Sequence, residues 1–591
     1  MSKIIGIDFG TTKTIAALMQ GGSPTIIADR RGRASIPSLV LVTPESEKTL
    51  FAGWEAKEHS KRYHLDHLTI SSVKRSLGKG QRQRWAWLEE HPEAVAGLIL
   101  ARVKLEVEHQ LGEPVGKAVI AIPANYSINQ RWAVRQAAEL AGLEVLRLIN
   151  EATAAAFTYN VFHSRGDKTL LIFDLGGGTL DVSVVEVGQG ICEVKATAGD
   201  GQLGGDDFDR LLMDYVARAA FGEGEEFDSL ELFRQLVLRE AVTRAKIELS
   251  SASSAQIYLP GFIQDGAGRR RNLDITIERA KFDELSQDLL KRAEGVIQQA
   301  LKDAGVDGPK LDAALVIGGG SRIPAVRELV SRVVGKEPFV GLDPETCVAQ
   351  GAAIQAGVLS GTKTDALLLD VTPLSLSVET EGGVATVLIP RNTTIQTRKS
   401  EIFTTAKDNQ TEIRVNVFEG ERPLVQNNIL LGSLHLRGIA PAPRGTAQIE
   451  VTFDIDVNNL LTVRAKDIQT GREVSAAFNS PARLTPQEAA GIKRFTAETI
   501  SKIAVRLSWE EEKERLENLR RTVSNWKQEV EGLIEARRES LTDEQAAMLD
   551  SGLRLLLDFS ERGASEEELE RIYAGLKQQI CSFGEGSVQS L

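Results

Sequence analysis

Cysteine is scarce in this chain of 591 residues: only Cys192, Cys347 and Cys581 occur, and no two of them form a CxxC pair. That excludes a disulfide framework and a cysteine zinc site, and fits a reducing, cytoplasmic compartment. Long apolar runs are missing too. No 18 apolar residues run together, and Asp8 interrupts the only early apolar stretch, so neither a membrane span nor a secretory signal core is expected. Positive charge is not in excess: 70 Lys and Arg face 82 Asp and Glu, a net charge of −12, which disfavours a nucleic-acid partner. The P-loop pattern GxxxxGK[ST] is absent. His59, His64 and His67 match no common metal-ligand spacing and are expected as solvated surface residues.

What remains is ordinary globular composition, 42% hydrophobic and 26% charged, so the chain is expected to fold into several domains. Up to about residue 363, short β-rich runs (Ile4 to Asp8, Ala118 to Ile122, Leu170 to Asp174, Leu315 to Ile317) alternate with helical ones such as Asn129 to Ala141, the texture of an α/β fold. Two strand ends repeat a pattern, Asp8-Phe-Gly10-Thr-Thr12 and Asp174-Leu-Gly176-Gly-Gly-Thr179, which suggests an internal duplication into two lobes. Polar residues Gly361 to Asp365 then precede the apolar stretch Ala366 to Leu369 and Asp370. Beyond Pro373 the period becomes two, with Ile413, Val415 and Val417, then Ile449, Val451, Phe453 and Ile455, as in an antiparallel β domain. From Thr485 onward, capping boxes at Thr485 to Glu488, Thr542 to Gln545 and Ser565 to Glu568 predict helices, and the dense charges of Glu510 to Arg521 predict a solvated helix face.

The paired turns carry the chemistry. Glycine lets backbone N–H groups approach phosphate oxygens, threonine hydroxyls add donors, and an aspartate at a strand end can hold a hydrated Mg²⁺. Two such turns facing each other would clamp a triphosphate. Gly199-Asp-Gly201-Gln-Leu-Gly204 fits the dinucleotide fingerprint G-x-G-x-x-G, but the stretch from Phe221 to Phe227 reads as a loop where that site needs a strand ending in an acid, so a glycine turn of another nucleotide fold is favoured. A third glycine turn, Gly318 to Gly320, with Arg322 beyond it, is placed to pass a nucleoside, the guanidinium stacking on the base.

These residues resemble the 70-kDa heat-shock protein family of molecular chaperones (DnaK-type), within the actin-like ATPase fold. The resemblance runs nearly end to end, through Ile5 to Thr12, Val119 to Ala124, Leu148 to Ala156, Phe173 to Thr179, Leu203 to Asp209, Leu367 to Ser375, Arg391 to Thr394, Asp408 to Gln410 and Ile449 to Asp456. It implies an actin-like two-lobed α/β ATPase at 1–363, a linker at 364–372, a β-sandwich peptide-binding domain at 373–482 and an α-helical lid at 483–591. It also implies ATP or ADP with Mg²⁺: Asp8 and Asp174 would hold the metal through water, Glu151 and Asp181 would complete an acidic floor, and Lys74 would be the catalytic lysine. Gly10, Thr11, Thr12 and Thr179 match phosphate contacts, as do Gly176, Gly177, Gly178, Gly204 and Gly205, with Lys13 an added charge; Lys246, Ser250, Gly319 and Arg322 match the nucleoside pocket.

The same resemblance assigns an allosteric path to Pro123, Arg131, Arg147, Asn150 and the linker residues Leu367, Leu368, Leu369 and Asp370, where J-domain co-chaperones also dock. It places a peptide groove at Val378, Thr380, Phe403, Thr404, Thr405, Ala406, Ile413, Val415 and Ile449, positions that alternation alone equally assigns to core. Departures are Thr243 for a ribose-contacting glutamate, Ile247 for an arginine, Gly320 for a serine, Glu381 for an apolar residue arching over the groove, and a shortened interval from Lys74 to Pro123. Arg444 matches a residue that latches the lid, and the final residues Gly584 to Leu591 lack an EEVD-type tail, as in a bacterial-type member. The implied activity is ATP-driven binding and release of extended apolar segments of unfolded proteins, with a J-domain partner and an exchange factor. A sugar-type kinase, an actin-like filament protein and a non-catalytic scaffold on the same fold remain open.

Overall fold

Strand Ile4–Phe9 organises the N-terminal half, burying Ile5, Ile7 and Phe9 completely. Gly6 leaves its other side bare, and there a Cβ would lie 2.2 Å from the backbone nitrogen of Ala353, so helix Cys347–Leu359 lies directly on the strand. In the computed structural model, the described residues are 3–44, 46–63, 68–163, 166–188, 190–222, 227–264, 269–362, 367–478, 486–536, 541–561 and 566–585. They divide into two units, Met1–Ile500 and Ser501–Leu591.

The expected duplication is visible as topology. In one sheet Ile4–Phe9, Lys13–Gln20 and Ser23–Ile27 run as an antiparallel meander, with Lys117–Ile122 added in parallel beside Ile4–Phe9. In the other, Lys168–Leu175, Leu180–Gly188 and Ile191–Asp200 repeat the meander, and Ala313–Ile317 joins Lys168–Leu175 in parallel. Helices Glu151–His163 and Cys347–Leu359 pack between them, so closely that a Cβ on Gly351 would fall 1.9 Å from the carbonyl oxygen of Ala154. Each sheet therefore offers one glycine turn at the C-terminal end of its first strand, the end where ligands meet an α/β sheet.

Residues Leu367–Leu369 form a short strand parallel to Ile191–Asp200, on the edge of the second sheet, with Leu368 buried and Leu367 exposed. Two four-stranded antiparallel sheets follow, one built on Leu376–Thr380, Val384–Ile389, Glu412–Glu419 and Ile429–Arg437, the other on Thr397–Phe403, Ile449–Ile455, Leu461–Asp467 and Glu473–Ala477. Alternate side chains from both, among them Leu376, Val417, Leu434, Val451, Phe453 and Val463, close into a single core, as in a β-sandwich. Helix Pro486–Ala536 begins beyond it.

In the second unit, helices Asp543–Glu561 and Glu566–Glu585 bury Leu549, Leu553, Leu569 and Leu576, and Trp526 stacks on Tyr573 with ring centroids 4.6 Å apart. The expected capping box at Thr542 forms: Gln545 N donates to Thr542 Oγ1 at 3.3 Å and Thr542 N to Gln545 Oε1 at 2.9 Å. Thr485 and Ser565 of the other boxes, Lys363 to Ala366, His64, His67, most of the loop after Phe221, the side chains at 509–520 and the last residues from Gly586 lie outside the described residues. His59 is not the solvated residue expected: its ring stacks on Phe51 at 4.2 Å and its Nδ1 lies 3.0 Å from the Glu55 carbonyl oxygen.

The sandwich touches the N-terminal half through specific groups. Ile128 enters the sandwich core, its N–H donates to the buried Glu419 carboxylate at 3.1 Å, and Leu148 N donates to Asn458 Oδ1 at 2.9 Å. Thr197 N donates to Asn392 Oδ1 at 3.0 Å, and Arg391 pairs with Asp303 at 2.8 Å. Burial lifts the Glu419 carboxyl from 4.5 to about 7, against the Ile128 amide and the Arg131 charge, which both pull it down. A raised acid pKa means that the buried, docked state holds the proton more tightly than a free carboxyl does, so docking is favoured as pH falls from about 7 towards 4.5, burial outweighing the preference of the Ile128 bond for the carboxylate. Glu419→Gln keeps an acceptor without the charge; hydrogen exchange of the Ile128 to Trp132 amides is expected to vary with pH across that window in the wild type and to lose that component in the variant.

Candidate functional site

The cleft between the two duplicated sheets gathers most of the expected chemistry. Lys74 lies in the short helix Val73–Ser76, entered through Ser72 in a left-handed conformation (φ 53°), and is 2% exposed. Its ammonium donates to the Phe9 carbonyl oxygen and lies 3.1 Å from Glu151 Oε1, at the start of helix Glu151–His163. Burial works against the charge, but Glu151, Tyr126 and Asp8 outweigh it, so the Lys74 pKa is raised and the ammonium persists.

Around it stand the acids. Asp174 and Asp181 are directly opposed on strands Lys168–Leu175 and Leu180–Gly188, an arrangement of like charges that destabilises a bare pair. Desolvation, then Glu151, pushes Asp8 up to about 8 even with Lys74 pulling it down. Desolvation and the neighbouring acids raise Asp174 well above the carboxylate range. Asp181 rises to about 7 through burial and Glu151, although the Asn125 amide donates to its Oδ1 at 2.9 Å. Asp181 Oδ2 is buried with no hydrogen-bond partner among the described residues. Four carboxylates facing one ammonium, with an oxygen left unsatisfied, fit a hydrated divalent cation. Among the described residues, no group of three His, Cys, Asp or Glu side chains is placed to ligate a metal ion directly.

The glycine turns pack against one another without side-chain volume. A Cβ on Gly204 would stand 2.5 Å from Gly178 N and 2.6 Å from the Gly177 carbonyl, one on Gly177 2.2 Å from Thr12 Oγ1, and one on Gly178 2.7 Å from Arg75 Nε. Gly205 N and Asp206 N donate to the carbonyl oxygens of Gly176 and Gly177 at 2.9 and 2.8 Å. Thr11 is buried, Thr12 is exposed, and Gly10 admits no Cβ because Lys13 O lies 2.4 Å from that position. Thr179 closes the second turn, its carbonyl oxygen accepting from Gly176 N at 3.0 Å.

Among the residues expected at a nucleoside pocket, Lys246 pairs with Asp209 at 2.9 Å and donates to Gly205 O at 2.8 Å, while Ser250 Oγ reaches Lys246 O at 3.5 Å. Gly319 faces open space, and Arg322 and Lys13 meet on Glu345, at 3.6 and 3.1 Å. The departures have local causes. A Cβ on Gly320 would press Leu175 at 2.6 Å; Thr243 donates to Asp209 Oδ2 at 3.1 Å; Ile247 is 65% exposed.

Several participants escaped the sequence. Arg75 donates to Gly178 O at 2.8 Å and to Asp207 at 2.9 Å, and Ser72 donates to Asp206 at 3.1 Å, tying the Lys74 helix to the glycine turns. Tyr126, held near pKa 12 mainly by burial, donates to Lys74 O at 3.3 Å. Its position between Pro123 and Arg131 is the only clue the sequence carries.

From Tyr126 a bonded path leads out of the cleft. Tyr126 N donates to Pro123 O at 3.3 Å; Arg131 Nε donates to Tyr126 O and its Nη2 to Asn150 Oδ1, both at 3.0 Å. Asn150 Nδ2 then donates to Asp370 Oδ1 at 2.6 Å, and Arg147 Nη2 lies 3.5 Å from Leu368 O. Leu369 continues the docked strand.

At the sandwich end, Val378, Val415 and Ile449 belong to the core rather than to an open pocket, and Thr405 is buried. Phe403, Ile413 and Thr380 are half-buried, while Thr404 and Ala406 are exposed. Arg444 meets Glu381 at 2.9 Å.

A family model described as Hsp70 protein matches residues 4–87 and 82–589. The chain belongs to the Hsp70 family. Hsp70 members are ATPases and ATP-dependent chaperones that bind ATP or ADP with Mg²⁺ and work with client polypeptides, J-domain proteins and exchange factors. The match continues through the sandwich and terminal helices, the part that the kinase and filament readings leave without a role. No helix among the described residues is long and apolar enough to cross a membrane.

The backbone crowding at Gly204 has a measurable consequence. Gly204→Ala is expected to weaken binding of a fluorescent ATP analogue by about tenfold or more, ~1.4 kcal/mol. Gly201→Ala, whose Cβ meets nothing closer than 4.0 Å, is expected to leave the same titration unchanged.

Proposed function

We propose that this Hsp70 hydrolyses ATP in the cleft around Lys74 and uses the result to open and close a peptide groove in the sandwich. The observation that carries the reading is the bonded path from Lys74 through Tyr126, Arg131 and Asn150 to Asp370, which joins a charged cleft to the linker strand. We assign 1–363 to the ATPase, 364–372 to the linker, 373–482 to the sandwich and 483–591 to the lid.

In the cleft, Asp8 and Asp174, with Glu151 and Asp181 behind them, are the residues that would hold Mg²⁺ through water. When bound, the metal neutralises phosphate charge. Backbone N–H groups of Gly10, Gly177 and Gly178, with the hydroxyls of Thr11, Thr12 and Thr179, cradle the phosphate chain, while Gly176, Gly204 and Gly205, whose N–H groups are bonded to Thr179 O, Asp207 and Gly176 O, leave room for its close approach; Lys246, Ser250, Gly319 and Arg322 flank the nucleoside. Lys74 orients the attacking water and offsets charge on the γ-phosphoryl group, the work that positioning and electrostatics do in phosphoryl transfer. Lys74→Ala is expected to lower kcat for release of phosphate from radiolabelled ATP by about 10²- to 10³-fold; an unchanged rate refutes this role and favours the scaffold reading.

The groove reading is supported by Thr397–Phe403, an edge strand paired on one side only with Ile449–Ile455, which leaves main-chain groups free to bind an extended apolar client. Phe403 to Ala406, Thr380 and Ile413 stand at its mouth, with Val378, Val415 and Ile449 packed in the core beneath. The separated thiols support a cytoplasmic location, Cys192 and Cys347 being buried with their pKa values raised by desolvation. Asp370 is buried, and its carboxylate accepts from both Asn150 and Val371. Asp370→Ala is expected to slow ATP-triggered peptide release about tenfold, followed by stopped-flow fluorescence, while single-turnover hydrolysis continues.

A further inference from the structure

The mouth of the sandwich is built from three loops. Turn Glu381-Gly382-Gly383 joins strands Leu376–Thr380 and Val384–Ile389, with both glycines in left-handed conformations (φ 85° and 73°). A second loop follows Phe403, and a third connects Arg437 to Ile449. The second and third are stitched into one body: Asn409 N donates to Ala442 O at 2.8 Å, Gly445 N to Thr405 O at 3.2 Å, and Arg444 N to Asp408 Oδ1 at 2.7 Å. Asp408 thereby fixes the Arg444 backbone and leaves its guanidinium to reach across. It reaches Glu381, Nη2 to Oε2 at 2.9 Å, with the two side chains 59% and 74% exposed. The other acid on this hairpin, Glu379, is already bonded to Asn416 Nδ2 at 2.7 Å.

We propose that Glu381 and Arg444 form an ionic clasp over the peptide groove, setting how long an extended apolar client is held. This rests on the reading of the sandwich mouth as that groove. A clasp made of two exposed charges differs in kind from one made of apolar side chains. It gains nothing from an apolar client beneath it. It is weak, because solvent screens both partners and two long side chains must be ordered. It weakens further as salt shortens the screening length, whereas burial of the client's own apolar side chain does not. Either charge alone is worse than none: unpaired, Glu381 leaves a carboxylate over the apolar mouth. Client release from this chain is therefore governed by ionic strength as well as by nucleotide.

The test follows dissociation of a fluorescent apolar peptide from the full-length ADP-bound protein at roughly 0.05 M and roughly 1 M potassium chloride. The wild type is expected to release the peptide about two to five times faster in high salt. Glu381→Gln and Arg444→Gln are expected to release fast at both salt concentrations. The reversed pair Glu381→Arg with Arg444→Glu is expected to restore slow, salt-sensitive release, which a merely structural role for either side chain cannot do. Release from every variant at the wild-type rate, with the same salt response, overturns the clasp and leaves the groove standing. Failure of the wild type itself to capture peptide in any nucleotide state overturns the groove reading and the clasp with it.

Discussion

Lys74 sits almost without solvent in a cleft whose neighbouring ionisable side chains, Asp8, Glu151, Asp174 and Asp181, are acids. An ammonium stripped of water costs several kcal/mol unless it is paired and hydrogen-bonded. Its partners come from separate parts of the chain: the end of the first strand supplies the Phe9 carbonyl, and the start of a central helix supplies Glu151. The backbone of Lys74 is met in turn by Tyr126, from the segment that leads into helix Ile128–Leu140. Satisfying one charge therefore pins three segments together. The acids outnumber the ammonium, a balance that suits a cation, and the same segments lead to Asn150 and Asp370.

Three of the positions that the sequence resemblance marks as departures have a local partner. At Gly320, where it implies a serine, Leu175 occupies the space a side chain would need. At Thr243, where it implies a glutamate, the hydroxyl braces the acid that pairs with Lys246. Glu381, where it implies an apolar residue, has a guanidinium partner. In each case the substitution and its neighbour form one unit, so the positions are best understood in pairs. No comparable partner accounts for Ile247.

Much of this was legible in advance where chemistry is written into a contiguous motif. Asp8, Asp174 and their glycine turns announce themselves because a tight approach to phosphate demands glycine at fixed offsets, and the repeated motif anticipates the repeated sheet topology. Arg75 and Tyr126 stayed hidden because nothing in their own neighbourhood fixes where the side chain goes; tertiary packing does. The groove was ambiguous for another reason. Period-two alternation shows which face is apolar but not whether another sheet covers it, and here Val378, Val415 and Ile449 turn out covered while Phe403 and Ile413 are only partly so. His59 illustrates the converse: a polar residue read as solvated stacks on an aromatic ring.

The three-residue strand Leu367–Leu369 has a second consequence. It completes a sheet that otherwise ends at Ile191–Asp200, covering that strand's main-chain donors and acceptors and burying Leu368. Whenever the strand leaves, the sheet acquires a bare edge and the released segment carries three consecutive leucines into water. The docked strand thus stoppers the protein's own sticky seam, and in the cycle proposed above each release of the linker would briefly unstopper it. A chaperone of this design must keep that interval short, or it becomes a candidate for the kind of association it prevents in others.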